Sequence, residues 1–222
     1  MTVSRAARND CRAPAGNEAT ASATVDPRMI PEMILDDGFS EIETQDRNDL
    51  KLFTELPLSP SMKRQLANAN FIHPTPVQAA AIPSALEGRD VLATAQTGTG
   101  KTLSFLIPII ERMAAEPRDT KALVLLPTRE LAIQVLGAWR DLTQGLDRAA
   151  LVCGGLAEGP QLTAIRNGAR LIVATPGRLE DYLSRGLAKL NSVKILVLDE
   201  VDRMLDMGFK HCNPADCCGF AA

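Results

Sequence analysis

The stretch VLATAQTGTGKT, Val91 to Thr102, decides how the rest of the chain is read. Val91–Thr94 is a short aliphatic run of strand character, and a helical pattern opens at Lys101. Between them lies a loop containing Gly98 and Gly100. Such a loop lets the backbone wrap closely around an anion, with N–H groups and the helix N-terminus facing the negative charge. Ala95, Gln96, Thr97, Gly98, Thr99 and Gly100 would surround a chain of phosphates in this way. Lys101 would add a point charge at the outer phosphates, and the Thr102 hydroxyl is placed to ligand Mg²⁺. The common form of this phosphate loop begins with glycine, where this chain has Ala95. A solvated Gly/Thr loop is the bland alternative, and the strand–loop–helix setting argues against it.

Outward from this loop, aliphatic runs alternate with helical stretches. Strands are predicted at Val91–Thr94, Ala122–Leu126, Ala150–Cys153, Leu171–Ala174 and Ile195–Leu198. None alternates polar with apolar, as expected where both faces of a parallel sheet are covered. Helices are predicted over Pro76–Leu86, Lys101–Ala114, Arg129–Thr143, Pro160–Asn167 and Gly177–Ser184. Strand alternating with helix predicts right-handed βαβ units and an α/β fold, a doubly wound, mainly parallel sheet with helices on both faces. Ligands of such sheets gather at the carboxyl ends of the strands.

One of those ends carries paired acids. Ile195–Leu198 reads as a buried strand, followed by Asp199, Glu200, Val201 and Asp202. A carboxylate at Asp199 can hold the Mg²⁺ of a bound nucleotide, usually through water, since Mg²⁺ dehydrates reluctantly. Glu200 can orient and deprotonate an attacking water. Alone, two acids after a strand are as often a solvated loop. About a hundred residues downstream of a phosphate loop, they read as its catalytic partner.

Composition sets the outer bounds. The 222 residues carry a net charge of -3, with 45% hydrophobic and 4% aromatic residues, so aliphatic side chains must fill the core. Residues 1–50 hold 5 Arg and 10 acids, leaving 19 basic and 17 acidic residues in 51–222. The small negative total thus hides an acidic leader and a mildly basic body, which removes a charge objection to a nucleic-acid partner. The 5 cysteines lack framework spacing, no signal-peptide pattern opens the chain, and no apolar run nears the roughly 18 residues of a membrane span. A soluble, reduced, cytoplasmic protein without a membrane partner is expected.

Together these motifs resemble the DEAD-box family of ATP-dependent RNA helicases, built on RecA-like domains. The match covers about residues 50–210, in the family's order. Phe71-Ile72-His73-Pro74-Thr75-Pro76-Val77-Gln78 is similar to the family's adenine-reading Q motif, with Phe53 where its upstream aromatic lies. The resemblance implies that Gln78 hydrogen-bonds adenine and Phe53 stacks on it, with Phe71 and Thr75 nearby. An amide offers both donor and acceptor to the adenine edge, and ordinary core packing is the alternative for Phe53. Pro127-Thr128-Arg129-Glu130-Leu131-Ala132 resembles motif Ia, Gly154-Gly155 the GG element, and Thr175-Pro176-Gly177-Arg178 motif Ib. By resemblance, Pro127, Thr128, Arg129, Gly154, Gly155, Thr175, Pro176, Gly177 and Arg178 line a track for the sugar-phosphate backbone of single-stranded RNA. Little base preference follows from such contacts. The cofactors implied are ATP and Mg²⁺. Lys101, Asp199 and Glu200 would be catalytic, Thr102 and Asp199 the metal residues, and Asp202 a relay between nucleotide and RNA sides.

The chain departs from the family pattern in four places. Asn70 stands where Gly is usual, and Asn is the next-best residue for a left-handed backbone. Val201 stands where the family has Ala, with bulk that a tight pocket would feel at about 1–3 kcal/mol. Mg-ATP binding is expected to persist. Residues 1–48 are read as a mostly disordered leader of no assigned role. After residue 210 the periodicity ends. Residues 211–222 read as an irregular tail, and His211, Cys212, Cys217 and Cys218 lack the paired spacing of a zinc site. The expected domain is therefore 49–210, without the second RecA-like domain that completes the ATP site in the family. A monomer that binds nucleotide and RNA without unwinding is the expectation for this chain, a poorly folding truncation the rival one.

Overall fold

The computed structural model describes residues 2–5, 40–42, 52–95, 98–145 and 148–207. Five strands fall on the predicted aliphatic runs: β3 (Val91–Ala93), β4 (Lys121–Leu125), β5 (Ala149–Val152), β6 (Leu171–Ala174) and β7 (Val193–Leu198). Between them run α2 (Pro76–Leu86), α3 (Lys101–Ala115), α4 (Arg129–Thr143), α5 (Glu158–Arg166) and α6 (Pro176–Ser184). Boundaries differ from expectation by at most two residues. Two helices, α1 (Pro60–Asn68) and α7 (Val201–Asp206), lie on stretches for which no helix is predicted. Ser59 starts α1 by accepting the Met62 N–H at 3.1 Å, with Pro60 pre-set for the first turn. Asn70, φ 59°, turns the chain out of α1 through the left-handed conformation its residue type permits.

The sheet order is β2-β3-β1-β7-β4-β6-β5. Pairs β4–β7, β4–β6, β5–β6 and β2–β3 are parallel. Strand β1 (Thr2–Arg5) lies antiparallel to both β3 and β7, which makes those two strands run the same way. Its register sets Thr2 opposite Leu92 on one side and Leu198 on the other. β2 (Ser40–Ile42) borders β3 at the edge.

These seven residues lie within 1–48, the stretch read as a mostly disordered leader. Their composition carries no strand signal. Backbone groups of β3 and β7 need partners, and any extended segment can supply them. The remainder of 1–48 and the tail 211–222, with His211, Cys212, Cys217 and Cys218, lie outside the described residues.

Alternation within the strands divides the core in two. Ala122 and Val124 of β4, with Val91, Val173 and Val197, face one cluster covered by Met62, Ile82, Phe105, Ile109 and Trp139. Leu123 and Leu125 face the other, covered by Leu162, Leu179, Tyr182 and Met204. Helices α1–α4 thus pack on one face and α5–α7 on the other. Burial of each large aliphatic side chain contributes roughly 1.5–3 kcal/mol, and the layers hold all five site loops at the carboxyl edge of the sheet. No helix among the described residues is long and apolar enough to cross a membrane.

Candidate nucleotide and nucleic-acid site

The phosphate loop leaves β3 and enters α3 through two left-handed glycines, Gly98 at φ 85° and Gly100 at φ 84°. Gly100 is also tightly packed: a Cβ there would lie 2.4 Å from Gln78 Nε2. Lys101 and Thr102 occupy the first turn of α3, partly buried. Gln96 and Thr97 lie outside the described residues.

Asp199 directly follows β7, its N–H bonded to Leu125 O at 3.0 Å and the residue buried. Burial pushes its carboxyl above the usual carboxylate range, opposed most by the positive charge of Lys101. The lysine and the acid therefore act on one another across the sheet edge. With β1 between their strands, two inter-strand spacings separate the backbones, about 10 Å. The Glu200 N–H bonds Asp199 Oδ1 at 3.1 Å, and Arg203 Nη1 pairs with Glu200 Oε2 at 3.3 Å. Glu200 itself has φ 52°, a left-handed backbone that costs on the order of 1–3 kcal/mol for a side-chain-bearing residue. Such strain is characteristic of positions whose orientation matters chemically. Val201 packs on the second core cluster, so its extra bulk is absorbed beside Met204. Asp202, in the first turn of α7, is exposed.

On the expected adenine side the picture shifts. Gln78 is buried, and its amide is already engaged: Oε1 accepts the Thr75 N–H at 2.9 Å and Nε2 donates to Gly100 O at 2.9 Å. It bridges the start of α2 to the phosphate loop. Phe53 is 3% exposed in the core, its N–H bonded to Ile72 O, so its ring is not presented for stacking. Phe71 is the exposed aromatic here, at 41%. Thr75 Oγ1 is buried without a hydrogen-bond partner.

Three further loops follow β4, β5 and β6. Thr128 caps α4 by accepting the Leu131 N–H at 3.4 Å, and Arg129 is exposed beside it. Pro127 is buried and supports the loop from below. Gly154 and Gly155 are exposed after β5, and a Cβ on Gly155, φ 75°, would meet Arg129 Nη1 at 2.9 Å. Thr175 ties to β5 through its N–H to Val152 O at 2.9 Å and opens α6, whose first turn carries Pro176, Gly177 and Arg178. Arg178 lies 5.5 Å from the Tyr182 ring centroid and pairs with Glu158 at 3.5 Å and Asp181 at 3.7 Å. Both Arg129 and Arg178 act electrostatically on Cys153, whose thiol burial pushes up. Arg129 borders the Gly154–Gly155 loop directly, and Arg178 reaches its far end through Glu158, the first residue of α5.

A model of the DEAD/DEAH box helicase family matches residues 75–212. The chain belongs to that family. It is 45% identical over 168 residues to a probable ATP-dependent RNA helicase ddx27 of Dictyostelium discoideum, covering 73% of this chain and 21% of that protein. It is 45% identical over 154 residues to the ATP-dependent RNA helicase DbpA of Escherichia coli, covering 68% and 34%. A crystal structure of a hypothetical ATP-dependent RNA helicase from Sulfolobus tokodaii superposes with a TM-score of 0.63 at 38% identity, covering 69% and 44%. This DEAD-box chain therefore spans about a fifth to a third of the curated relatives named here.

Sequence reading passed over several residues that build the DEAD-box site from behind. Glu111 of α3 accepts both the N–H and the hydroxyl of Ser59, at 2.8 and 2.7 Å, tying α1 to the phosphate-loop helix. Arg170, buried, donates to Met113 O at 2.6 Å and anchors the far end of α3. Gln161 and Tyr182 hold the loop after β5. A buried Gln or Arg among apolar residues signals such ties but does not name the partner.

Proposed function

We propose that this chain is a RecA-like module that binds Mg-ATP at the Lys101–Asp199 edge and the backbone of single-stranded RNA at the neighbouring loops. The observation that carries the reading is that β3, which leads to the Lys101 turn, and β7, which leads to the buried Asp199, run the same way on either side of β1, so both groups come from one sheet edge. The groups present suit a nucleotide and its metal: left-handed glycines, an open helix N-terminus, a lysine, and a carboxylate held buried as an oxygen ligand. Lys101 would bind the outer phosphates, and Thr102 and Asp199 would hold Mg²⁺. When bound, the metal supplies charge neutralisation at the phosphates. Glu200, turned by its left-handed backbone and the Arg203 contact, would orient water and accept its proton. Phe71, the exposed aromatic of this segment, would offer a surface for a base.

Arg129, Arg178, the N–H groups at Gly154 and Gly155 and the hydroxyls of Thr128 and Thr175 would together suit sugar and phosphate rather than base edges. Binding of nucleotide and RNA is the activity proposed for these residues. A monomeric, cytoplasmic form is part of the proposal, and the 5 cysteines without framework spacing suit a reducing compartment. Titration with a fluorescent ATP analogue, with and without Mg²⁺, tests it. Binding is expected to depend on Mg²⁺ and to be lost in Lys101→Ala. Equal binding by that variant would remove the nucleotide reading.

A further inference from the structure

Gln161 makes more hydrogen bonds than any site residue discussed above, yet it has no place in the ATP chemistry. It lies in α5, 5% exposed. Its Oε1 accepts the Cys153 N–H at 3.1 Å, and its Nε2 donates to Cys153 O at 3.1 Å, Leu156 O at 3.3 Å and Ala157 O at 3.3 Å. The orientation of the amide is fixed, because only an oxygen can accept from the Cys153 N–H. Tyr182 of α6 donates its hydroxyl to the same Oε1 at 3.3 Å. Arg178 rests over that tyrosine's ring.

One buried side chain therefore spans both ends of the loop that displays Gly154 and Gly155. It also reaches the tyrosine that supports Arg178. On the other side of the loop, Arg129 sits so close to Gly155 that a β-carbon would crowd it. Between Ala157 and the buried Cys153, the two exposed glycines bring no side-chain packing of their own to choose a conformation. Its N–H groups can face a phosphate only if something beneath holds them there.

We propose that Gln161 is the positioning residue of the RNA track, holding the Gly154–Gly155 loop between Arg129 and Arg178 so that the three contact one stretch of backbone together. This inference rests on the RNA reading proposed above. Gln161 touches no RNA itself. Deleting its hydrogen bonds releases the loop and lowers RNA affinity while leaving the Lys101–Asp199 edge, built on β3 and β7, unchanged.

The test compares the unaltered chain with Gln161→Met, which keeps length and removes every hydrogen bond, and with Tyr182→Phe, which removes only the hydroxyl contact. Affinity for a single-stranded oligouridylate is measured over a series of salt concentrations, beside Mg²⁺-dependent affinity for the ATP analogue. Gln161→Met is expected to weaken RNA binding about tenfold. It should also flatten the slope of log affinity against log salt by about 0.7, one phosphate contact on a single strand. Tyr182→Phe should move both in the same direction by less, and it carries the test if Gln161→Met does not fold. Nucleotide affinity should change less than twofold in either. Unchanged RNA affinity and salt slope in both variants would overturn the proposal, as would a parallel loss of nucleotide affinity, which marks a general packing role. If the unaltered chain binds no RNA, the underlying reading fails and the inference goes with it, a result distinct from either.

Discussion

Asp199 shows how a functional side chain strains against its own fold. Its carboxyl sits above the ordinary range because burial disfavours the charge more than Lys101 restores it. A raised folded value means that the folded state takes up the proton more readily than the unfolded chain. Stability contributed by this group is thus highest at acid pH. It is lost as pH rises from the ordinary carboxylate range through the raised folded value. Asp199→Asn should accordingly raise the melting temperature at pH 7.5, by the equivalent of about 1 kcal/mol, while removing Mg²⁺-dependent nucleotide binding. The gain should shrink as pH falls. Thermal melts of both proteins between pH 4.5 and 8 check this, and a destabilised Asn variant at pH 7.5 would refute it. Asn70 offers a second residue-scale check. At φ 59°, Asn70→Gly should be nearly neutral and Asn70→Ala should cost about 1 kcal/mol in urea unfolding.

At the scale of elements, the phosphate loop and α2 behave as one piece because Gln78 joins them. Gly100→Ala meets two penalties: a left-handed φ, at about 1–2 kcal/mol, and a clash with Gln78 Nε2 of similar size. Gln78→Ala alone leaves the Thr75 N–H and Gly100 O short of partners and should cost about 1–3 kcal/mol. In the double variant the clash is gone, so the combined loss should fall short of the sum by about 1 kcal/mol or more. Urea midpoints of the four proteins measure that coupling, and strict additivity would dismiss the bridge. The sequence made the loop legible, since Gly-Lys-Thr after a strand has few other uses, and made Gln78 legible as a residue of the site. It left the amide's present partners hidden, because a glutamine can donate and accept almost anywhere within reach. Phe53 is the same lesson reversed. The family resemblance put it at the site, and its ring lies buried in the core.

Across the whole molecule, the parallel strands and their helices could be read from uninterrupted aliphatic runs, whereas β1 could not. Thr2–Arg5 has neither the composition nor the periodicity of a central strand, and only the gap between β3 and β7 explains it. Without it the sheet separates into β2-β3 and β7-β4-β6-β5, and the phosphate loop parts company with Asp199. Val3→Pro removes a backbone donor and locks φ inside a strand paired on both sides. It is expected to cost about 3 kcal/mol or more and to weaken Mg²⁺-dependent nucleotide binding at least tenfold. Denaturant unfolding and nucleotide titration of this variant test the role of β1. Full stability with intact binding would show that another segment can fill the gap.

That same strand has a consequence for how the molecule comes into being. A ribosome releases Thr2–Arg5 long before Val193–Leu198 exists, so the earliest stretch must wait for the latest before both its edges are matched. Until then the nascent protein carries two bare β margins open to stray pairing. Production in cells should therefore favour slow synthesis at low temperature and chaperone supply, and a stall late in translation should release an aggregating fragment rather than a smaller folded one.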